Sequence, residues 1–245
     1  MQLQSKGNME INGLGTAAGG RFDKIVINGV GSFTDAVQAD GIVVNGSGSF
    51  NGVTESGEMV INGTAGVKKA ACFDRLEVNG NCKLHSDSKI GDLCVAGNLK
   101  ITGNLVGEKV VNEGRFSIRG NCEVETFYSQ GSIKITGQLN ADDIDLDIAL
   151  KCEISEIGGE KIRVRRNSYF IPKIVDAVFP TYLTADNIEG DEVTLEYTRS
   201  RTVRGHHVTI GENCDIDLVE YTGTYTQSPS ARVREARDVG VIACQ

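Results

Sequence analysis

The sequence predicts an all-β protein, a triangular parallel β-helix in which short strands wind in coils with a regular period. Three observations carry this prediction. A glycine recurs at a nearly constant step, apolar residues recur in columns with the same step, and the 245 residues include 30 glycines, 3 prolines and no tryptophan. A fixed period is typical of stacked copies of one small unit.

The glycine repeat consists of triplets of an aliphatic residue, a polar residue and glycine between Gly13 and Gly137. The first step is 16 and the next ones are 17, then the phase jumps by six and the step of 17 resumes. The glycines are Gly13, Gly29, Gly46, Gly63, Gly80, Gly97, Gly103, Gly120 and Gly137. Because glycine and asparagine tolerate positive φ, we interpret these positions as corners between strands. The six-residue jump then indicates that the most regular glycine position moves from one side of the triangular coil to another.

The apolar columns come in three pairs. One pair begins at Met9 and Ile11, a second at Gly15 and Ala17, and a weaker third pair later in the repeat. Residues two apart lie on one face of a strand, so each coil is predicted to hold three short strands. One coil cannot bury its inward residues alone, and neighbouring coils must therefore stack.

The chain divides into three predicted segments. Residues 1–160 carry the repeat and form the solenoid. Residues 161–187 interrupt it with a basic and then apolar stretch that contains Pro172 and Pro180. Residues 188–245 return to strand-like alternation and are predicted to form a short second β block.

The second block has a shorter step than the first. The step from Val193 to Val208 is 15, and so is the step from Leu195 to Ile210. We therefore expect two or three smaller coils here. The tail after Tyr225 either finishes the last coil or is loose.

Composition narrows the class of function. The net charge of −8 and the pI near 5.0 argue against broad nucleic-acid binding, which needs a basic surface. The N-terminal stretch lacks the apolar core of a secretory signal and no apolar run is long enough to span a bilayer, so we expect a cytoplasmic protein.

The seven cysteines form no C-x-x-C pair, and Cys82, Cys122 and Cys152 fall on inward columns as small apolar fillers. We expect no metal, no cofactor and no phosphate-binding loop.

Residues that could carry chemistry are few. Alternation places Asp143, Asp145 and Asp147 on an outer face, where they either bind calcium, mimic the acidic groove of a polysaccharide-cleaving enzyme, or form a solvated edge. His206 and His207 adjoin Arg204 in a predicted turn and either bind a metal or are simply exposed. No catalytic triad follows from the spacing, and we expect a protein that is not an enzyme.

The stacked I-N-G and G-S-G units resemble those of the bactofilins, which are bacterial polymer-forming cytoskeletal proteins. Residues 188–221 resemble the C-terminal module of longer, two-block bactofilin-like proteins of Gram-positive bacteria. The matching elements are Ile188-Glu189-Gly190-Asp191, Val203-Arg204-Gly205, Ile210-Gly211 and Ile216-Asp217-Leu218-Val219-Glu220-Tyr221. The two resemblances cover about 190 of the 245 residues. They imply a right-handed β-helix that polymerises end to end without a nucleotide. They also imply a scaffold at the membrane that is linked to cell shape or envelope enzymes.

The ends of a solenoid are predicted to drive self-association, because each end is a ring of unpaired backbone groups. The first coil holds small residues where later coils hold Leu99 or Phe116, so its core is thin. The predicted contact residues are Met9, Ile11, Gly15 and Ala17. Alternatively, residues 1–8 fold over this end as a cap. If 161–187 caps the other end, assembly stops at dimers joined at their N-terminal ends. If it does not, filaments form.

Residues 161–187 have a further interpretation. A basic and aromatic segment too short to span a bilayer can lie at a membrane surface or dock on a partner. The candidate docking residues are Arg165, Arg166, Phe170, Ile171, Ile174 and Phe179. The alternative is a helix or loop that caps the solenoid.

The sequence therefore favours a non-enzymatic scaffold whose partners are itself, the membrane surface, and envelope or cell-shape proteins, but not nucleic acid. The alternative is a carbohydrate- or envelope-binding β-helix protein. A β-helix enzyme is less well supported. Hexapeptide acyltransferases have a period of 18, and no histidine occupies a repeated position in the coils of this solenoid.

Overall fold

The computed structural model describes residues 7–148, 151–166 and 181–240, and within these ranges the chain forms strands and turns with no helix. Contacts divide the chain into two units, Met1–Gly120 and Asn121–Gln245. Each unit is a parallel β-solenoid. The predicted all-β solenoid is therefore confirmed.

In the first unit, short strands alternate with longer ones, and the paired strands lie two positions apart in the chain. The strands are β1 (Met9–Ile11), β2 (Leu14–Ala17), β3 (Gly20–Ile27), β4 (Val30–Phe33), β5 (Val37–Val44), β6 (Ser47–Phe50), β7 (Thr54–Ile61), β8 (Thr64–Val67), β9 (Ala71–Val78), β10 (Asn81–Leu84), β11 (Ser88–Val95), β12 (Asn98–Thr102), β13 (Leu105–Asn112) and β14 (Arg115–Arg119).

The register of these strands confirms the predicted columns. The first column pairs Met9, Ile25, Ile42, Met59, Leu76, Leu93 and Val110 in consecutive turns. The second pairs Gly15, Gly31, Gly48, Ala65, Cys82, Leu99 and Phe116. The step of 17 thus stacks equivalent side chains above one another.

Each turn has the three predicted sides, although two of them belong to one strand. In β5 the buried positions are Val37, Ala39, Ile42 and Val44. The spacing of inward residues changes from two to three at the middle of this strand. Because side chains alternate between the two faces of a strand, the extra residue changes which side chains point inward after it. The strand therefore bends around a corner while its backbone pairing continues.

From Gly29 to Gly97, the glycines that repeat at a step of 17 are required for close approach and not for the positive φ that we expected. A Cβ built on Gly63 would lie 2.0 Å from the carbonyl oxygen of Gly46, and Gly63 does not have a left-handed φ. Gly114 continues this column after Gly97, with the same contact at 2.1 Å. The expected positive φ is found at Gly103 and Gly120, with values of 136° and 153°. Two different corners therefore need glycine for two different reasons.

The second unit contains longer strands. They are β15 (Cys122–Glu123), β16 (Thr126–Ser129), β17 (Ser132–Asn140), β18 (Asp143–Ile148), β19 (Cys152–Arg166), β20 (Leu183–Leu195), β21 (Thr198–Ile210), β22 (Asp215–Gln227) and β23 (Arg232–Asp238). Strands β19 to β23 each pair in parallel with the next.

The shorter coils predicted for the second block are confirmed. Val193 pairs with Val208 and Leu195 with Ile210, both at the predicted step of 15. The tail after Tyr225 finishes β22 and then forms β23, so it completes a last turn up to residue 238.

The predicted interruption at 161–187 is strand at both of its described ends. Residues 161–166 finish β19, which pairs with β18, and residues 183–187 begin β20. Residues 167–180 lie outside the described part of the chain.

Candidate functional site

The N-terminal edge of the first unit consists of β1 and β2. Among the described residues, β1 pairs only with β3 and β2 only with β4. Within the described ranges nothing pairs with the outer side of either strand, so its backbone N–H and C=O groups are open to another strand. Such an edge can pair with another β-strand.

The four predicted contact residues all lie on this edge, where the core is thin. Ala17 stands next to Phe33 in the register, and Gly15 next to Gly31. Both Gly15 and Ala17 are half-buried, while Phe33 is fully buried. Ile11 is 8% exposed and Met9 is half-buried. The structure thus brings Met9, Ile11, Gly15 and Ala17 together, and their role in association stays a prediction.

An apolar pair that the sequence analysis missed lies on the outer wall at the same edge. Leu14 is 89% exposed and Val30 is 49% exposed, and the two are neighbours in the register of β2 and β4. Later turns place Ser47, Thr64 and Asn81 in this column. The sequence could have revealed this pair, because the column is apolar in its first two turns and small or polar in the later ones.

An asparagine ladder, also missed, runs along one corner of the first unit. Its members are Asn12, Asn28, Asn45, Asn62 and Asn79. The side-chain amide nitrogen of each donates to the side-chain oxygen of the preceding one, at 2.7, 2.8, 2.9 and 3.0 Å in chain order. Ladders of this kind stabilise stacked, in-register strands. The asparagines before the repeated glycines are therefore stacking residues.

The last strand of the second unit has a different character. Among the described residues β23 pairs only with β22, and it is rich in charge. Arg234 forms an ion pair with Asp217 at 2.8 Å, and Arg237 with Glu235 at 2.7 Å. Charged side chains on an edge strand discourage further strand pairing. The two edges therefore differ in how readily they accept another strand.

The acidic row that we considered for calcium faces a basic row. Strands β18 and β19 place Asp145 beside Arg163 and Asp147 beside Arg165. Arg165 lies 2.9 Å from a carboxylate oxygen of Asp145 and 3.1 Å from one of Asp147. Partial burial lowers the pKa of Arg165, but these two carboxylates raise it above its ordinary value. The row is thus an ion-pair network, and a calcium ion would compete with the arginines.

The docking residues proposed in 161–187 are only partly described. The guanidinium of Arg165 contacts the acidic row, and that of Arg166 stacks over the ring of Tyr197 at 4.5 Å. Phe170, Ile171, Ile174 and Phe179 lie outside the described residues. Among the residues that the structure does describe, no helix is long and apolar enough to cross a bilayer.

The predicted turn at His206 and His207 is wrong, because both residues lie within strand β21. Both side chains are exposed, and their Nδ1 atoms hydrogen-bond to the hydroxyls of Thr222 and Thr224 at 2.8 and 2.9 Å. In the described ranges no group of three or more His, Cys, Asp or Glu residues is arranged to hold a metal ion.

The inward cysteines lie where we predicted. Cys82 and Cys122 are 0% exposed, and Cys152 is 1% exposed. Burial raises the pKa of each of these thiols to about 12. They therefore stay protonated at neutral pH and act as apolar core residues.

A shallow groove of about 950 Å³, lined by both apolar and polar atoms, crosses several turns of the second unit. Its lining includes Gly158, Gly190 and Gly205, together with the polar residues Asn140, Glu189 and Arg204. Arg204 forms an ion pair with Glu220 at 2.7 Å, and this hydrogen bond raises the pKa of Arg204. A concave surface with amide, carboxylate and guanidinium groups can hydrogen-bond to a polar ligand.

Comparisons with known proteins give two short matches. A stretch of 51 residues is 55% identical to Bacillus subtilis (strain 168) YhbE, covering 21% of this chain and 22% of that protein. A stretch of 98 residues is 36% identical to YhbF of the same organism, covering 40% of each chain. Both relatives are described as uncharacterized proteins, and the matches span less than half of their length. No family model and no solved structure matches the chain.

Proposed function

We propose that this chain is a non-enzymatic, self-associating cytoskeletal scaffold of the bactofilin type, which assembles through the ends of its β-solenoid. The observation that carries the proposal is the N-terminal edge, where two strands are paired on one side only among the residues that the structure describes, and where the core beneath them is thin. An uncovered edge of this kind lowers its free energy by pairing with another β-coil.

The two described edges suggest which end associates more readily. The N-terminal edge carries one charged residue, Glu10, in β1 and β2, and the exposed Leu14 lies beside it. Strand β23 carries five charged residues among its seven. Because charges on an edge disfavour strand addition, contacts between N-terminal edges form first. Such contacts give dimers, and growth into filaments then needs a second contact.

Sedimentation velocity of matched variants tests the proposal. Met9→Asp or Ile11→Asp adds a charge at the edge, so it should abolish association while the later turns stay folded. Phe33→Asp or Leu99→Asp buries a carboxylate at a position that is 0% exposed, so it should unfold the coils. Equal loss of circular dichroism signal in both groups would contradict end-specific assembly.

We further propose that residues 161–187 bring the scaffold to the cytoplasmic surface of the membrane. The support is the composition of the sequence, in which an aromatic and aliphatic stretch follows Arg166, while Arg163 and Arg165 are paired with Asp145 and contribute little to attraction for anionic lipid. Flotation with liposomes that contain anionic lipid should recover the wild-type protein, and Phe170→Ser with Phe179→Ser should reduce the recovery several-fold. If the wild-type protein does not float, the membrane proposal is wrong and the self-association proposal is unaffected.

A second candidate function, binding of an envelope carbohydrate, is favoured by the polar side chains in the groove of the second unit. Asn140, Glu189 and Arg204 offer planar polar groups to a chain of sugar hydroxyls. Co-sedimentation with insoluble peptidoglycan and with chitin should retain the wild-type protein, and Glu189→Ala should weaken retention. If neither polymer retains the wild-type protein, this candidate is eliminated.

A further inference from the structure

We infer that the partner at the N-terminal edge is a second copy of the same edge, and that Asn12 of each copy donates a hydrogen bond to Glu10 of the other about a two-fold axis beside Ile11. This inference rests on the self-association proposed above. It names the residues that set the register of the contact.

The direction of the asparagine ladder is the first step. Asn28 donates from its amide nitrogen to the side-chain oxygen of Asn12, and each later asparagine donates to the preceding one in the same sense. The amide nitrogens therefore all point toward the N-terminal edge. Asn12 is exposed and acts as an acceptor in the ladder, and no acceptor for its amide nitrogen is found among the described residues. The ladder ends in an open donor.

The acceptor for this donor is supplied by strand β1, which ends one residue before Asn12. Glu10 is exposed and precedes Asn12 by two positions, and its described hydrogen bond is a long one of 3.5 Å from the Asn28 amide. Its carboxylate forms no ion pair with the described cations. One edge thus presents a donor and a strong acceptor on either side of Ile11.

A two-fold axis through Ile11 makes this arrangement self-complementary. Two copies of β1 then run antiparallel, so residue 10 of one copy lies opposite residue 12 of the other, and Ile11 lies opposite itself. Two Asn–Glu hydrogen bonds form, each assisted by the charge of the carboxylate. The inward side chain of Ile11, which is 8% exposed in the single chain, is covered by its copy. The apolar column therefore continues across the junction.

The register is specific because alternation has a period of two. A slip by one residue would place Glu10 opposite Ile11 and would turn a carboxylate toward the apolar column. An unlike strand would have to reproduce an acceptor, an apolar residue and a donor in that order, which a second copy does by symmetry.

The test is Asn12→Asp in the full chain. Aspartate keeps an oxygen that accepts from Asn28, so the ladder and the fold are preserved, but it removes the donor and places a carboxylate opposite Glu10. Each lost contact occurs twice across the axis, so we expect the association constant from a sedimentation concentration series to fall at least about tenfold. Thermal unfolding of the diluted variant should match the wild type.

The matched control is Gln38→Glu, which makes the same amide-to-carboxylate change at an exposed position of β5 away from the edge. It should leave the association constant within about twofold of the wild-type value. Adding Glu10→Asn to Asn12→Asp exchanges donor and acceptor, and this double variant should recover association to within about threefold of wild type.

The possible outcomes distinguish a failure of the Asn12–Glu10 contact from a failure of the proposed self-association. A wild-type protein that is monomeric at every concentration overturns both. If the wild type associates and Asn12→Asp associates equally well, the Asn12–Glu10 contact is wrong and self-association stands. If Asn12→Asp weakens association but the double variant does not restore it, the pairing of these two residues is likewise refuted.

Discussion

Replacing Gly63 with alanine should strongly destabilise the first unit, because its corner has no room for a methyl group. A Cβ there would lie 2.0 Å from the carbonyl oxygen of Gly46, where ordinary contact begins at 3.4 Å. The same oxygen accepts the backbone N–H of Thr64 at 2.8 Å, and the N–H of Gly63 donates to Val44 at 3.0 Å. Relieving the clash therefore separates two turns at the point where they are hydrogen-bonded.

The expected cost combines two terms. Overpacking costs about 1–3 kcal/mol, and two weakened backbone hydrogen bonds cost about 1 kcal/mol each. We therefore expect Gly63→Ala to lower the free energy of unfolding by about 3–5 kcal/mol. Urea unfolding followed by circular dichroism measures this as a lower midpoint.

Gly13→Ala is the matched control, because Gly13 begins the same column and a Cβ there would meet nothing within 4 Å. This variant should stay within about 0.5 kcal/mol of wild type, or be slightly more stable because alanine restricts the unfolded chain. If the two alanine variants unfold at the same urea concentration, the close-approach explanation of the glycine column is wrong.

Three further predictions concern other parts of the chain. Burial raises the pKa of Cys82 to about 12 in the folded protein, against 9.0 for a free thiol. The stability that this protonated thiol contributes is therefore complete below pH 9 and is lost as the pH rises toward 12. In a profile of the urea midpoint against pH, Cys82→Ala should make the decline over this range less steep. Asp145→Asn should cost about 1 kcal/mol at low salt and less at high salt, since it removes the central carboxylate of a partly exposed ion-pair network; a salt-independent loss would contradict this. Asn45→Ala breaks two ladder hydrogen bonds and should lower stability by about 1–2 kcal/mol, whereas Asn187→Ala, at an exposed position of β20 outside the ladder, should cost less.

The inward columns could be predicted because burial imposes a strict alternation on the sequence. Leu76, Leu93 and Val110 repeat at a step of 17 and stack in the structure. The step of 15 in the second block followed from Val193 and Val208 for the same reason. Inward positions are constrained by volume and polarity together, so their pattern survives in a single sequence.

The corners were harder to interpret because one residue type serves two physical needs. Gly63 and Gly103 look alike in the sequence, yet the first is needed for close approach between turns and the second for a φ of 136°. Asparagine was interpreted as a corner residue, and Asn45 and Asn62 do lie at a corner, but the ladder that joins their side chains was not predicted. Contacts between turns decide these roles, and local sequence does not display them.

The outward charges could not be interpreted from one strand at a time. Asp145 and Asp147 looked like a candidate calcium site, and Arg163 and Arg165 looked like part of a basic insertion. Their strands are neighbours at a step of 18, so the two rows neutralise each other. The register in this turn departs from 17, and the sequence period alone did not reveal that pairing.

Negative-stain electron microscopy of the purified chain, without nucleotide, tests the central claim most directly. We expect paired or filamentous particles whose contacts disappear in the Asn12→Asp variant while the individual particles keep their size. Fields of single, unpaired particles at micromolar concentration would contradict assembly through the solenoid ends.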